Sequence, residues 1–179
     1  MPRYIALLRG INVGGKNSLP MADLRAQMEG SGFDNVHTYI QSGNIVFDSK
    51  RKSVSSIGKF IRDRLHAECS IAVPVLVLKQ SEFETAIEKS PFKKEVSDAK
   101  SVHFFFLDSK PTLDDPEKIT DIQAASERWK LVDKVFYLHA PDGIGRSKLA
   151  TRVEKLLGVV ATARNYRTVA ELKAMLDDQ

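Results

Sequence analysis

The 179-residue sequence contains one cysteine, Cys69, so no internal disulfide can form. A single thiol suits a reducing compartment better than a small secreted scaffold stapled by disulfides. No apolar run approaches the ~20 residues needed to span a bilayer. The N-terminal Met1-Pro2-Arg3-Tyr4 leads directly into a strand-like run, with no apolar leader and no small-residue cleavage site. These absences predict a cytoplasmic protein without a membrane segment. Recognisable catalytic signatures are also missing. His37, His66, His103 and His139 are scattered without a metal-ligand spacing, and no G-x-S-x-G elbow occurs. No metal site is expected, and neither a cofactor nor a catalytic residue can be assigned. Enzymatic activity stays open.

What is present is a globular balance of 42% hydrophobic and 28% charged residues, with a net charge of +4. That excess permits a phosphate-bearing partner without requiring one. It is concentrated in two places. Residues 1–22 carry Arg3, Arg9 and Lys16 with no acid, and residues 143–167 carry six bases against Glu154 alone, which leaves the rest of the chain net acidic.

Element signals come in a repeated order. Tyr4 to Arg9 reads as a buried strand. Pro20 opens a helix with Met21, Leu24 and Met28 on one face, ended by Gly30 and Gly32. Val36–Gln41 and Asn44–Asp48 form a hairpin around Ser42-Gly43, followed by a helix bearing Val54, Ile57, Ile61 and Leu65. Ala72–Leu78 closes the set as an edge strand, where Pro74 is tolerated. A short helix begins at a capping box of Ser81 and Glu84, and Lys93–Lys100 is linker.

The order then recurs. His103–Leu107 is a strand, a helix opens near Asp114, Asp115 and Pro116, and Glu127–Val132 with Val135–His139 make a hairpin around Asp133-Lys134. Next come a helix with Leu149, Val153 and Leu156 stopped by Gly158, a strand Val159–Thr162, and a last helix carrying Val169, Leu172 and Met175. In that last helix Thr168 and Glu171 form a second capping box. Acids at Asp114, Asp115 and Glu117 suit a helix start. The predicted class is α+β: two ferredoxin-like βαββαβ units in tandem, packed as one compact body, with a C-terminal helix. The first unit covers 1–80, a connecting helix and linker 81–100, and the second unit 101–179.

The loop Arg9-Gly-Ile-Asn-Val-Gly-Gly-Lys16-Asn17 places Gly10, Gly15 and Lys16 at P-loop positions. Asn17 replaces the required Ser or Thr, and Pro20 would break the helix that a P-loop enters. Two readings remain: a tight connection, or an anion nest using Arg9, Asn12, Gly14, Gly15 and Lys16. In the hairpin, Gln41, Ser42 and Asn44 are either turn residues or amides and hydroxyls offered to a ligand. In the basic C-terminal stretch, Lys148 flanks Ser147 at a helix start, and Arg164, Asn165 and Arg167 sit at the next one, where N–H groups favour an anion. Phe104, Phe105, Phe106, Phe136 and Tyr137 are strand aromatics, better suited to the core than to base stacking. Cys69 reads as a buried thiol.

The segments from Arg9 to Lys16, Tyr39-Ile-Gln-Ser-Gly-Asn-Ile-Val-Phe47 and Leu157-Gly-Val…Arg164-Asn165 together resemble the bacterial domain-of-unknown-function 1697 family. The last departs from it, with Thr162-Ala163-Arg164-Asn165-Tyr166 in place of a Thr-Thr-Arg-Asn-Trp pattern. The resemblance implies two ferredoxin-like units and no established activity. From the residues, the expected partner is a small phosphate-bearing molecule or nucleotide. Nucleic acid on the same basic surface is the alternative, and a non-catalytic homo-oligomeric assembly protein, for instance a homodimer, is a third class.

Overall fold

The computed structural model describes residues 1–113 and 116–178, so the expected helix-start acids Asp114 and Asp115 lie outside the described residues. The chain divides into two units. One comprises residues 1–85 with the residues from Glu171 onward, and the other is Ala86–Ala170.

The first unit is built on β1 (Arg3–Leu8), α1 (Met21–Gly30), β2 (Asp34–Tyr39), β3 (Asn44–Asp48), α2 (Val54–Cys69), β4 (Val75–Lys79) and the start of α3 (Gln80–Glu88). Its four strands form an antiparallel sheet in the order β2-β3-β1-β4. Strand alternation sends Tyr4, Ala6 and Leu8 to one face, where Ile45 and Phe47 of β3 join Met21, Leu24 and Met28 of α1 and Ile57, Ile61 and Leu65 of α2. The expected helical stripes are therefore the ones buried. α2 starts at Ser53, whose hydroxyl accepts the Ser56 N–H, and ends where Ser70 turns left-handed.

The second unit repeats the pattern with β5 (Val102–Leu107), α4 (Pro116–Thr120), β6 (Arg128–Val132), β7 (Val135–His139), α5 (Val153–Leu157), β8 (Ala161–Asn165) and the start of α6 (Tyr166–Asp177). Its strand order is β6-β7-β5-β8, again antiparallel throughout. Phe105, Phe136 and Leu138 pack with Ile119, Leu149, Val153 and Leu157. On the other face Tyr137 donates its hydroxyl to the Ala86 carbonyl at 2.6 Å, and burial holds its phenol far above the ordinary value.

Several boundaries differ from the sequence expectation. β2 ends at Tyr39, and residues 40–43 all belong to the turn. β4 begins at Val75 because Pro74 has no N–H for the ladder, although its carbonyl accepts the Arg9 N–H at 3.1 Å. α3 starts before the anticipated Ser81–Glu84 box, and the Glu82 carboxylate instead accepts the Lys79 N–H at 2.8 Å. The single helix expected before Gly158 is two 3₁₀ turns (Ile144–Arg146 and Ala150–Arg152) followed by five-residue α5, whose buried residues are Val153 and Leu157 while Leu156 is half-buried. β8 runs to Asn165, not Thr162, because β5 offers partners from Leu107 back to His103. The last helix accordingly opens at Tyr166, where Asn165 Oδ1 accepts the Thr168 N–H at 3.0 Å, in place of a Thr168–Glu171 box.

A polar cluster anchors the far end of the first sheet. β2 carries a bulge between Asp34 and His37, where Asn35 is left-handed. The Asn35 amide donates to Asp48 at 2.8 Å, and Arg3 Nε donates to the same carboxylate at 3.0 Å. Arg3 Nη1 also reaches the Leu176 carbonyl at 3.0 Å. Burial works to raise the Asp48 pKa, but the hydrogen bonds from Arg3 and Asn35 and the Arg3 charge together hold it below its usual 3.8.

Asp48→Asn is expected to cost about 2–3 kcal/mol in urea unfolding, because it removes the charged acceptor that Arg3 and Asn35 share. With a lowered folded pKa, the wild-type contribution is present above about pH 4 and is lost as pH falls through the folded value. The variant should lack that component of the acid response.

Candidate functional site

The glycine-rich loop is a miniature hairpin at the end of β1. Val13 pairs with Lys16, and the Lys16 N–H donates to the Val13 carbonyl at 3.0 Å. Gly14 and Gly15 between them both have positive φ, the requirement of a two-residue type I′ turn. Asn12 N–H donates to the Asn17 carbonyl, and Asn17 Nδ2 to the Gly10 carbonyl at 2.9 Å. The N–H groups of Asn12 and Lys16 are thus spent inside the loop, so those two donors are not offered to an anion.

Asn12 joins this loop to the next one. Its Nδ2 donates to the Leu19 carbonyl at 2.9 Å and to the Gln41 carbonyl at 2.8 Å, and its Oδ1 accepts the Leu19 N–H at 2.7 Å. Within the β2–β3 turn, buried Asn44 donates to the Tyr39 carbonyl and to Ser42 Oγ. Gly43 has φ +74, and a Cβ there would come within 2.6 Å of Leu8 Cβ, while the Leu8 N–H donates to its carbonyl at 2.9 Å. Three of the residues expected to face a ligand, Asn12, Ser42 and Asn44, therefore build the frame. Of the other residues expected to face a ligand at this end, the side chains of Lys16 and Gln41 are exposed, and Arg9 is half-buried.

The second set of expected residues belongs to the other unit. Ser147 is buried, and its hydroxyl accepts the Ala150 N–H at 2.9 Å, so the turn carrying exposed Lys148 is capped by the chain itself. Arg164 lies in β8 opposite Phe104, donates to the Ala163 carbonyl at 2.8 Å, and is pushed down to about 10 by burial. It stays cationic at neutral pH. Asn165 serves as the cap of α6, and Arg167 is exposed, with its N–H bonded to the Ala99 carbonyl. The five strand aromatics are all buried, none above 6% exposure, so they present no platform for bases.

Other groups with chemical potential are accounted for locally. Among the described residues no three His, Cys, Asp or Glu side chains converge as a metal-binding group. Cys69 is half-buried, and Gln27 Nε2 donates to its Sγ at 3.0 Å. His37 is exposed despite lying in β2, and His139 Nδ1 lies 3.4 Å from Arg128. His103 is buried with Nδ1 unpartnered, and burial lowers its pKa from 6.5.

The fold and its two framed loops define an α+β protein with two four-stranded antiparallel sheets, in which polar loop residues are largely consumed by the scaffold. The chain belongs to the family described as Protein of unknown function (DUF1697), whose model matches residues 1–137. Its structure is similar to that of the conserved bacterial protein SP0830 from Streptococcus pneumoniae, with a TM-score of 0.69, 26% identity and 98% of each chain covered. No curated protein matches it. Among the described residues, no helix is long and apolar enough to cross a membrane. Val13 and Ile40, both exposed at the loop end, escaped the sequence reading because Ile40 looks like the last apolar residue of a strand.

Two outcomes test these assignments. Asn12→Ala is expected to destabilise the protein by about 2–3 kcal/mol, since it orphans the Leu19 N–H and two carbonyls. Amide exchange should rise across residues 10–19 and 40–43 together. For His103, an unfolded chain takes up a proton near pH 6.5 that the folded state resists, so stability should fall as pH drops below that value. His103→Leu should flatten the loss between neutral pH and about pH 5 in urea unfolding.

Proposed function

We propose that the protein binds a small phosphate-bearing molecule at the loop end of the first sheet, with Lys16 as the principal cation and Arg9 and Gln41 beside it. The supporting observation is the Asn12 amide, which fixes the glycine loop to the β2–β3 turn at 2.8 Å and so presents Lys16 and Gln41 on one frame. A pre-organised pair of loops lowers the ordering cost of binding, whereas two independent flexible loops would bear it in full. The exposed lysine supplies a point charge with three donors, suited to a phosphate. The acid-free first 22 residues leave little local repulsion for an anion.

The finer fold reading goes with this proposal: each unit is a ferredoxin-like module. It is supported by the element order βαββαβ and by the strand orders β2-β3-β1-β4 and β6-β7-β5-β8. In such a sheet the loops after β1 and between β2 and β3 fall at one end of the two central strands.

The test is an ¹⁵N NMR titration with inorganic phosphate and pyrophosphate. Shifts are expected at residues 9–17 and 40–43. Lys16→Ala should weaken pyrophosphate about three- to tenfold, the range of a lost charged contact at an exposed site, with little change in melting temperature. Equal affinity in the variant would remove the proposal. A steep salt dependence with oligonucleotides, absent for pyrophosphate, would favour nucleic acid instead.

A further inference from the structure

Val13 and Ile40 are large apolar side chains of the first unit that remain outside its core, 62% and 51% exposed. They adjoin the same hydrogen bond: Val13 follows Asn12 and Ile40 precedes Gln41, the two residues joined by the 2.8 Å amide-to-carbonyl contact. Ile40 also has φ +48. Among the described residues the other non-glycine positions with positive φ are Asn12, Asn17, Asn35, Ser70 and Asp133, all short and polar. Asn and Asp tolerate that conformation through local hydrogen bonding, and a β-branched residue does not. Asn or Gly at position 40 would relax the backbone. A half-exposed isoleucine adds little core packing to offset the strain, and a strained residue that the fold does not need points to use outside the chain.

Resting on the phosphate reading above, we infer that Val13 and Ile40 form the apolar contact for the base of a nucleotide whose phosphate lies at Lys16. Small-molecule sites combine apolar contact with a few placed polar groups, and this loop end offers that mixture. Lys16 pairs with Val13 across the miniature hairpin, which puts the cation and one apolar residue at the two ends of a single two-residue turn. Gln41 is exposed and carries both a donor and an acceptor, the combination that can address the edge of a base. Inorganic phosphate or a sugar phosphate would leave Val13 and Ile40 in water. The ligand class is therefore a nucleotide, distinguished from simpler phosphates by a flat base whose face can lie on apolar side chains while its edge hydrogen-bonds.

Binding of each of the four ribonucleoside 5′-monophosphates, ribose 5-phosphate and inorganic phosphate is to be measured by NMR titration on the wild type and Ile40→Asn. At least one nucleotide is expected to bind about tenfold or more tightly than ribose 5-phosphate, the scale of one buried apolar contact. Its shifts should include residues 13 and 40. Ile40→Asn should raise the melting temperature by a few degrees through relief of strain. It should bring nucleotide affinity down to the ribose 5-phosphate level while leaving inorganic phosphate unchanged. Ile40→Gly, which also accepts a left-handed backbone, is the second variant and should behave alike. If nucleotides bind no better than ribose 5-phosphate, or if both variants keep nucleotide affinity, the inference is overturned while the phosphate reading stands. If none of the six compounds perturbs residues 9–17 or 40–43, both are lost.

Discussion

The side chain of Asn12 is the constraint on which the loop end of the first sheet depends. Its amide satisfies one N–H and two carbonyls, at Leu19 and Gln41, in a region where no regular ladder can do so. One residue thereby sets the exit of the glycine hairpin, its return to α1 and its distance from the β2–β3 turn. Gly43 acts as the matching close approach, since its lack of a Cβ lets the turn lie against Leu8. Remove either and the exposed residues at this end lose their common frame. The polar residues that look most like ligand contacts are thus mostly mortar, and the surface proposed to bind a ligand is the small remainder they hold in place.

The far end of the same sheet is organised by charge. Asp48 accepts from both Arg3 and Asn35, so the bulge in β2, the start of β1 and the end of β3 share one buried carboxylate. The pair is nearly enclosed, with the Arg3 and Asp48 side chains 15% and 8% exposed. Removing the carboxylate takes a buried acceptor from two donors at once, which is why its loss is expensive even though the net contribution of the pair is modest.

The repeated strand–helix order was legible because hydrophobic period and glycine or proline punctuation agree over most of the chain. The stripes Met21-Leu24-Met28 and Val54-Ile57-Ile61-Leu65, and the hairpin at Asp133-Lys134, needed only local information. Where that reading slipped, a tertiary partner decided. β8 extends through Arg164 and Asn165 because β5 supplies hydrogen bonds that their polarity conceals. The helix before Gly158 breaks into 3₁₀ turns around the buried Ser147 hydroxyl. At the candidate site the polar, glycine-rich character of the loop end was legible, but the roles of its residues were not. Asn12, Ser42, Asn44 and Asn165 carry the same donors and acceptors whether they face a ligand or a backbone, and composition cannot separate the two. Ile40 was hidden for the opposite reason, since an apolar β-branched residue gives no warning of a left-handed φ.

The bond from Arg3 to the Leu176 carbonyl joins residues 173 apart in sequence. The first unit contains residues from both ends of the described chain, with the second unit interposed between them. A ribosome delivers β1 early and the residues beyond 171 only after all of the second unit has emerged. Vectorial synthesis therefore cannot complete the first unit first, whatever its local propensities. The earlier-made part must wait for the later one, and its closure has a long loop to gather.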